Sequence, residues 1–326
     1  MKEILRKLYR QETLSAEEAG YALDLISEDQ VHPAQMASFI TVYLLRAISV
    51  SELDAFINVL MKKCIPVELG RPTLDVCGTG GDEKNTFNIS TITALLAASC
   101  GVSVAKHGNY GVSSISGSSN VLEHCGYQFS SDVNELKQQL ESESICFLHA
   151  PLFHPALKHV AQVRKELGVR TFFNMLGPLV NPARPTHRMV GVYQLDLART
   201  YHYLLQQRAE KYHIVHSYDG YDEISLTSDF KVFSHNGEKH FSADSFGFAK
   251  LKSEAIEGGE TIAESAEIFK KILSGKGTDA QNAVVLVNTV FALQTVSNVS
   301  TSDALELATE RLLSGSAFQL FKRLIS

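Results

Sequence analysis

The sequence predicts an α/β protein in which a small, all-helical N-terminal domain precedes a larger α/β domain with a mainly parallel central sheet. Three observations carry this prediction. Residues 1 to about 66 show helical patterns with no strand signal between them. From Leu74 onward, short apolar runs alternate with helical periods. Finally, 326 residues exceed the usual span of a single hydrophobic core. The boundary falls at Glu68 to Pro72, which gives a helical domain over residues 1–70 and an α/β domain over 71–326.

The elements follow in order. Ser15-Ala16-Glu17-Glu18 is a capping box, Pro33 opens a helix through about Arg46, and Ser51-Glu52-Leu53-Asp54 starts another. LDV from Leu74, VSVA from Val102, ICFLHA from Ile145, MVGVY from Met189 and HIVHS from His213 read as strands. Pro155 to Leu167 reads as a helix bearing Lys158, Arg164 and Lys165, stopped at Gly168. AVVLVNTVFAL, Ala283 to Leu293, is apolar on nearly every face, so it is a buried helix that serves packing and not chemistry. Ser302-Asp303-Ala304-Leu305-Glu306 opens a last amphipathic helix that ends the chain. No repeat of 20 to 50 residues occurs, and the only low-complexity stretch is Ser113 to Ser119.

Composition excludes several classes. With 30 basic against 36 acidic residues the net charge is −6, which argues against a surface devoted to nucleic acid or anionic lipid. Five cysteines without paired spacing suit a reducing, cytoplasmic compartment and no zinc site. The start is too charged for a secretory signal, and no apolar stretch approaches the ~20 residues that span a bilayer, so no membrane partner is expected.

Four stretches could carry chemistry. Leu74 to Val76, then Gly78-Thr79-Gly80-Gly81-Asp82, then Asn88-Ile89-Ser90-Thr91, reads as strand, glycine turn and capped helix. Bare N–H groups at a helix N-terminus hold anions, although the spacing fits neither a Walker loop nor a dinucleotide fingerprint, and a plain strand-to-helix turn is the alternative. After the next strand, KHGNYGVSSISGSSN places Lys106, His107, Gly108 and Asn109 ahead of Ser113, Ser114, Ser116 and Ser118. Alone this suits a solvated loop; beside the first stretch, at the strand ends where open α/β sheets bind ligands, it suits a lid over phosphates. Asp219-Gly220-Tyr221-Asp222-Glu223 follows the HIVHS strand and is either a solvated turn or a Mg²⁺ site completed by a polyphosphate. The fourth stretch, PLFHPALKHVAQVRKELGVRTFFNMLGPLVNP, carries basic residues that on a helix usually face solvent, and its His154 and His159 lack the i, i+4 spacing of a helical metal pair.

Taken in order, GTGGD, FNIST, KHGN, VSS, SGSS, VLE, HPALK, VRKELG, FFNMLGPLVNPA, GVY and DGYDEIS closely resemble anthranilate phosphoribosyltransferase, over nearly the entire chain. The resemblance implies transfer of phosphoribosyl from phosphoribosyl pyrophosphate (PRPP) to anthranilate in tryptophan biosynthesis, with release of pyrophosphate. It also implies that part of 155–185 returns to the helical domain, that the helical domains join a homodimer, and that the substrate cleft lies at the domain junction.

Carried over by residue, the resemblance assigns PRPP to Gly78, Thr79, Gly80, Gly81, Asp82, Thr86, Asn88, Ile89, Ser90, Thr91, Lys106, His107, Gly108, Asn109, Ser113, Ser114 and Ser118. Anthranilate falls to Gly78, Asn109 and Arg164, and Mg²⁺, two ions per monomer, to Ser90, Asp222 and Glu223. Lys106, His107, Asn109 and Arg164 form the catalytic set, with His107 available to take the amine proton. Two positions depart from the family pattern: Tyr110 stands where arginine is usual, and Ser116 to Asn120 read SGSSN where SGSAD is usual. Rival readings are a pyrimidine nucleoside phosphorylase-like enzyme and a non-catalytic, nucleic-acid-binding relative; the latter calls for a basic groove and loss of the carboxylates that this acidic chain keeps as Asp222-Glu223.

Overall fold

A computed structural model describes residues 1–111 and 115–326. The chain divides into two compact units, one formed by Met1–Val67 with Ala150–Arg184, the other by Glu68–His149 with Pro185–Ser326.

The first unit is helical: Lys2–Tyr9, Ala16–Ser27, Pro33–Leu45, Val50–Lys63 and Lys158–Leu167 are its longer helices. Ser15 and Glu18 form the expected capping box, and Pro33 sits at the start of its helix. One boundary moves: the fourth helix is capped by Ser49, not opened at Ser51, because Glu52 closes a capping box with Ser49. Gly168 ends the Lys158–Leu167 helix in the left-handed conformation (φ 62°), and Pro155–Leu157 ahead of it is a 3₁₀ turn. Phe39, Tyr43, Phe56 and Phe172 form the core, with Phe56 and Phe172 stacked at 4.9 Å.

Inside this core lies a charge. Glu52 is fully buried, and its carboxylate accepts bonds from Leu14 N (3.1 Å), Tyr43 Oη (3.0 Å), Ser49 N (3.0 Å) and the Arg46 guanidinium. Burial pushes its pKa up, but Arg46 and these N–H groups more than offset that, and the net shift is downward.

The second unit holds a seven-stranded sheet in the order β3-β2-β1-β4-β5-β6-β7. The strands are β1 (Leu74–Gly78), β2 (Val104–Gly108), β3 (Ile145–His149), β4 (His187–Gly191), β5 (Lys211–Ser217), β6 (Phe230–Ser234) and β7 (Gly237–Phe241). The first five are parallel and buried on both faces, which is why they read as short apolar runs; β6 and β7 are antiparallel and extend one edge. The Ile89–Ser99 and Asp279–Val296 helices pack on each other and on the central strands. The expected last helix is two, Thr301–Leu313 and Ser316–Leu324, separated at Gly315 in a left-handed turn. No helix among the described residues is long and apolar enough to cross a membrane. All five cysteines are free thiols, and burial pushes Cys77 and Cys146 up to about 12.

Replacing Glu52 by Ala strands the Arg46 charge and three donors. The expected outcome is a loss of about 3–5 kcal/mol in urea unfolding at pH 7. The wild-type advantage should shrink as pH falls below about 4.5, because a carboxylate with a lowered folded pKa stabilises only above its unfolded value.

Candidate active site

Register places three glycines side by side at the carboxyl edge of the sheet. Gly78 of β1 pairs Gly191 of β4, and Gly108 ends β2 on the other side of β1. The order turns from β2-β1 to β1-β4 here, so the loops leaving β1 and β4 open a crevice at the topological switch point. A β-carbon at any of the three glycines would collide: at Gly78 with the Asp222 carboxylate, at Gly191 with the Asp222 carbonyl, and at Gly108 with the Ser118 hydroxyl. Glycine is required here so that the loops after β5 and β2 can close over the strand ends.

The glycine stretch does something other than expected. Thr79 N donates to Gly191 O (2.9 Å) and Gly80 N to Asp222 Oδ2 (2.6 Å), so the first N–H groups of the turn hold protein, not ligand. Gly80 and Gly81 take positive φ (65° and 78°), and Asp82 Oδ1 then accepts from Lys84 N (3.0 Å). Thr86 bridges Glu257, Gly258 N donates to Asn85 O (2.7 Å), and a β-carbon on Gly258 would strike Thr86 O, so the segment after the Ser253–Ile256 turn braces the loop from outside. The sequence signal for that brace, Gly258-Gly259, went unread. Asn88, expected to cap the Ile89–Ser99 helix, makes no side-chain cap; its Nδ2 donates to Ser116 O (3.2 Å) and ties the two loops together. Ile89 and Thr91 are buried in the first turn of that helix.

Lys106 is not a flexible lid lysine. It is 2% exposed, and its Nζ donates to Val76 O (2.5 Å) and Ser90 Oγ (3.3 Å). Strand alternation turns His107 to the opposite face, where it too is buried and its backbone N–H donates to Asp75 Oδ1 (3.1 Å).

The carboxylates converge on this cation. Glu223 lies beside Ser90, whose hydroxyl and N–H favour its charged form. Burial pushes its pKa up to about 7, against the pull of Lys106 and Ser90. Asp222 is 7% exposed and is raised well above the usual carboxylate range by burial, then by Glu223 and Asp82 beside it; Asp82 is raised by burial as well. Three carboxyl groups face Lys106 and, at Asp82, Lys84, and burial disfavours their ionisation; a cation supplied from outside would restore their charged forms. Among the described residues, no three His, Cys, Asp or Glu side chains are arranged to hold a metal ion alone. Adjacent carboxylates with a hydroxyl beside them are the donor set of a hard ion that takes its remaining ligands from substrate oxygens and water.

The second loop is closed at its base. Asn109 O accepts from Ser119 N (3.2 Å) and Ser118 Oγ (3.3 Å), and Asn109 itself is exposed. The two departures from the resembled pattern have structural work here. Asn120 Oδ1 accepts from Gly111 N (2.9 Å) and Gly117 N (3.0 Å), joining the two ends of the loop. Tyr110 donates through its hydroxyl to Glu123 (2.9 Å) and sets its ring edge-on to His149 at 4.7 Å, while His149 Nδ1 pairs with Ser119 Oγ (2.8 Å). Ser113 and Ser114 lie outside the described residues.

Arg164 belongs to the helical unit. Its guanidinium lies 5.4 Å from the Phe173 ring centroid and donates to Asn174 Oδ1 (3.4 Å), which is itself fixed by Thr171 N (3.0 Å). Burial lowers the pKa of this half-buried guanidinium from its free value.

The chain matches the glycosyl transferase family, helical bundle domain over residues 2–64 and a/b domain over residues 70–318. A Flavobacterium psychrophilum protein named anthranilate phosphoribosyltransferase is 52% identical over 325 residues, covering 99% of this chain and 98% of its own length. One of the same name from Bacteroides thetaiotaomicron is 47% identical over 327 residues, covering 100% and 98%. The crystal structure of the Thermus thermophilus anthranilate phosphoribosyltransferase superposes with a TM-score of 0.91 at 32% identity, covering 99% of this chain and 98% of that one. The Saccharomyces cerevisiae enzyme in complex with PRPP and Mg also gives 0.91, at 26% identity with 99% and 96% covered.

A folded pKa near 7 for Glu223 against about 4.5 unfolded means that its contribution to stability is fully present below pH 4.5 and is lost as pH rises through 7. In metal-free protein, Glu223→Gln should therefore be more stable than wild type at pH 8, by about 1–3 kcal/mol in urea unfolding, with the gap closing towards pH 5. An equal gap at both values would show that the pocket does not strain this carboxylate.

Proposed function

The chain belongs to the glycosyl transferase family of these two domains and, within it, to the anthranilate phosphoribosyltransferases; on that premise we propose that it transfers the phosphoribosyl group of PRPP to the anthranilate amine and releases pyrophosphate. The supporting observation is the convergence of Asp222, Glu223, Ser90 and the Gly78–Asp82 turn at the switch point of the sheet. The bond from ribose C1 to pyrophosphate breaks as the bond from C1 to nitrogen forms. The proton leaves the product ammonium for solvent, which an aryl ammonium is acidic enough to permit, so no task falls to the buried His107.

Ser90, Asp222 and Glu223 would hold Mg²⁺, and adjacent carboxylates diverge enough to serve two ions. Mg²⁺ supplies charge for the departing pyrophosphate oxygens. Gly81, Asp82, Thr86, Asn88 and Thr91 would frame the PRPP side of the crevice, with Asn109 and Ser118 on the second loop. Lys106 acts through Ser90 and Glu223, whose charge and direction it sets. Arg164, held by Asn174 above Phe173, takes the anthranilate carboxylate, for which a planar guanidinium is matched. A homodimer through the helical unit belongs to the same reading, supported by Tyr9, Tyr21, Leu44 and Leu45, large apolar residues left exposed there. So does a reducing, cytoplasmic setting, supported by five free thiols.

Loss of anthranilate fluorescence on mixing with PRPP and Mg²⁺ tests the reading directly, and no consumption at any Mg²⁺ concentration would overturn it. Asp222→Asn should lower Mg²⁺-dependent kcat at least about 100-fold while the protein stays folded. Arg164→Ala should raise the anthranilate KM about 10- to 100-fold, as for loss of a charge-assisted bond, and leave PRPP affinity unchanged by calorimetry. Loss of PRPP binding in that variant would refute the placement of Arg164.

A further inference from the structure

The Asp279–Val296 helix is buried and apolar from Ala283 to Leu293 apart from Asn288 and Thr289. A buried amide lowers stability unless it is fully bonded, so its partners say what it is for. Thr289 bonds only within its own helix, to Val285 O (2.8 Å). Asn288 also donates to its own helix, at Val284 O (2.8 Å), but it reaches out of it as well: Nδ2 donates to Ile224 O (2.8 Å), and Oδ1 accepts from Ile224 N (3.2 Å).

Ile224 follows Glu223 and lies in no strand or helix, so its buried N–H and C=O need partners that secondary structure does not provide. The same peptide group is held from its other end. Ser217, fully buried at the end of β5, donates through Oγ to Glu223 O (2.7 Å) and accepts from Ser225 N (3.3 Å). The peptide between Glu223 and Ile224 is thus gripped at its oxygen by Ser217 and at its N–H by Asn288, and the next carbonyl is gripped by Asn288 again. Fixing that plane fixes the direction in which Glu223 leaves the backbone, and with it the Asp222 carbonyl that fills the space beside Gly191.

We propose that Asn288 and Ser217 are positioning residues that aim the Asp222-Glu223 pair at the cation, so that the buried helix contributes to metal affinity as well as to packing. This rests on the metal reading above. Supporting groups of this kind typically change metal affinity 10- to 100-fold.

The test uses Mn²⁺ as the probe, titrated in the presence of PRPP against the full-length protein and followed by the electron-paramagnetic signal of free ion, with thermal unfolding of each ligand-free variant alongside. Asn288→Ala should weaken Mn²⁺ binding about 10- to 100-fold. Ser217→Ala should weaken it in the same direction. Thr289→Val, equally buried one residue away, should leave it at the wild-type value. Folded Asn288→Ala that binds Mn²⁺ as Thr289→Val does would overturn the proposal while leaving the metal site standing. Should Asn288→Ala fail to fold, Ser217→Ala decides, and an unchanged affinity there overturns it. If wild-type binding survives in Asp222→Asn/Glu223→Gln, the metal reading itself fails, and the proposal with it.

Discussion

The site depends on Asp222 occupying the space of two missing side chains. Because β1 and β4 pair Gly78 with Gly191, a gap opens at the end of the sheet, and Asp222 fills it with its carboxylate on one side and its carbonyl on the other. The Gly80 N–H then closes on the carboxylate, and the turn of β1 is locked to the loop of β5, which lies 142 residues away in the chain. A methyl group at either glycine would part these loops, so the geometry of the crevice rests on steric absence as much as on any attraction.

Buried acids in the two units of this protein show opposite electrostatic solutions. Glu52 is surrounded by donors and a guanidinium, its pKa falls, and its charge is satisfied within the fold. Asp222 and Glu223 are buried beside each other and beside Asp82, with only Lys106, Ser90 and an N–H against them, and their pKa values rise. Stability is served by the first arrangement. The second weakens the ligand-free fold and favours whatever cation enters, which is the usual mark of a functional site.

The second loop shows how a departure in sequence can keep a shape. Asn120 accepts from two backbone N–H groups, and Tyr110 trades a cation for a hydroxyl bond to Glu123 and a ring contact with His149. Both hold the base of the loop, which leaves Asn109 exposed beside the strand ends.

The sequence by itself determined what is local. Apolar runs buried on both faces read as β1 to β5, and capping boxes and proline read as helix starts, because such signals act within a few residues. The β6–β7 hairpin is equally local, turning at His235-Asn236 with Gly237 at positive φ, but it lies outside the parallel pattern of apolar runs. Family motifs carried the site residues by order along the chain. Only the tertiary structure decided what those residues do to one another. It turned Gly80 N–H towards Asp222 instead of outward, buried Lys106 against Val76, sent His107 to the other face of the sheet, and drew Asn288 out of an apolar helix to hold the peptide after Glu223. Each of these is a contact between segments far apart in the chain, set by strand register and by the demand that buried polar groups find partners. Neither constraint leaves a periodic trace in the residues that satisfy it.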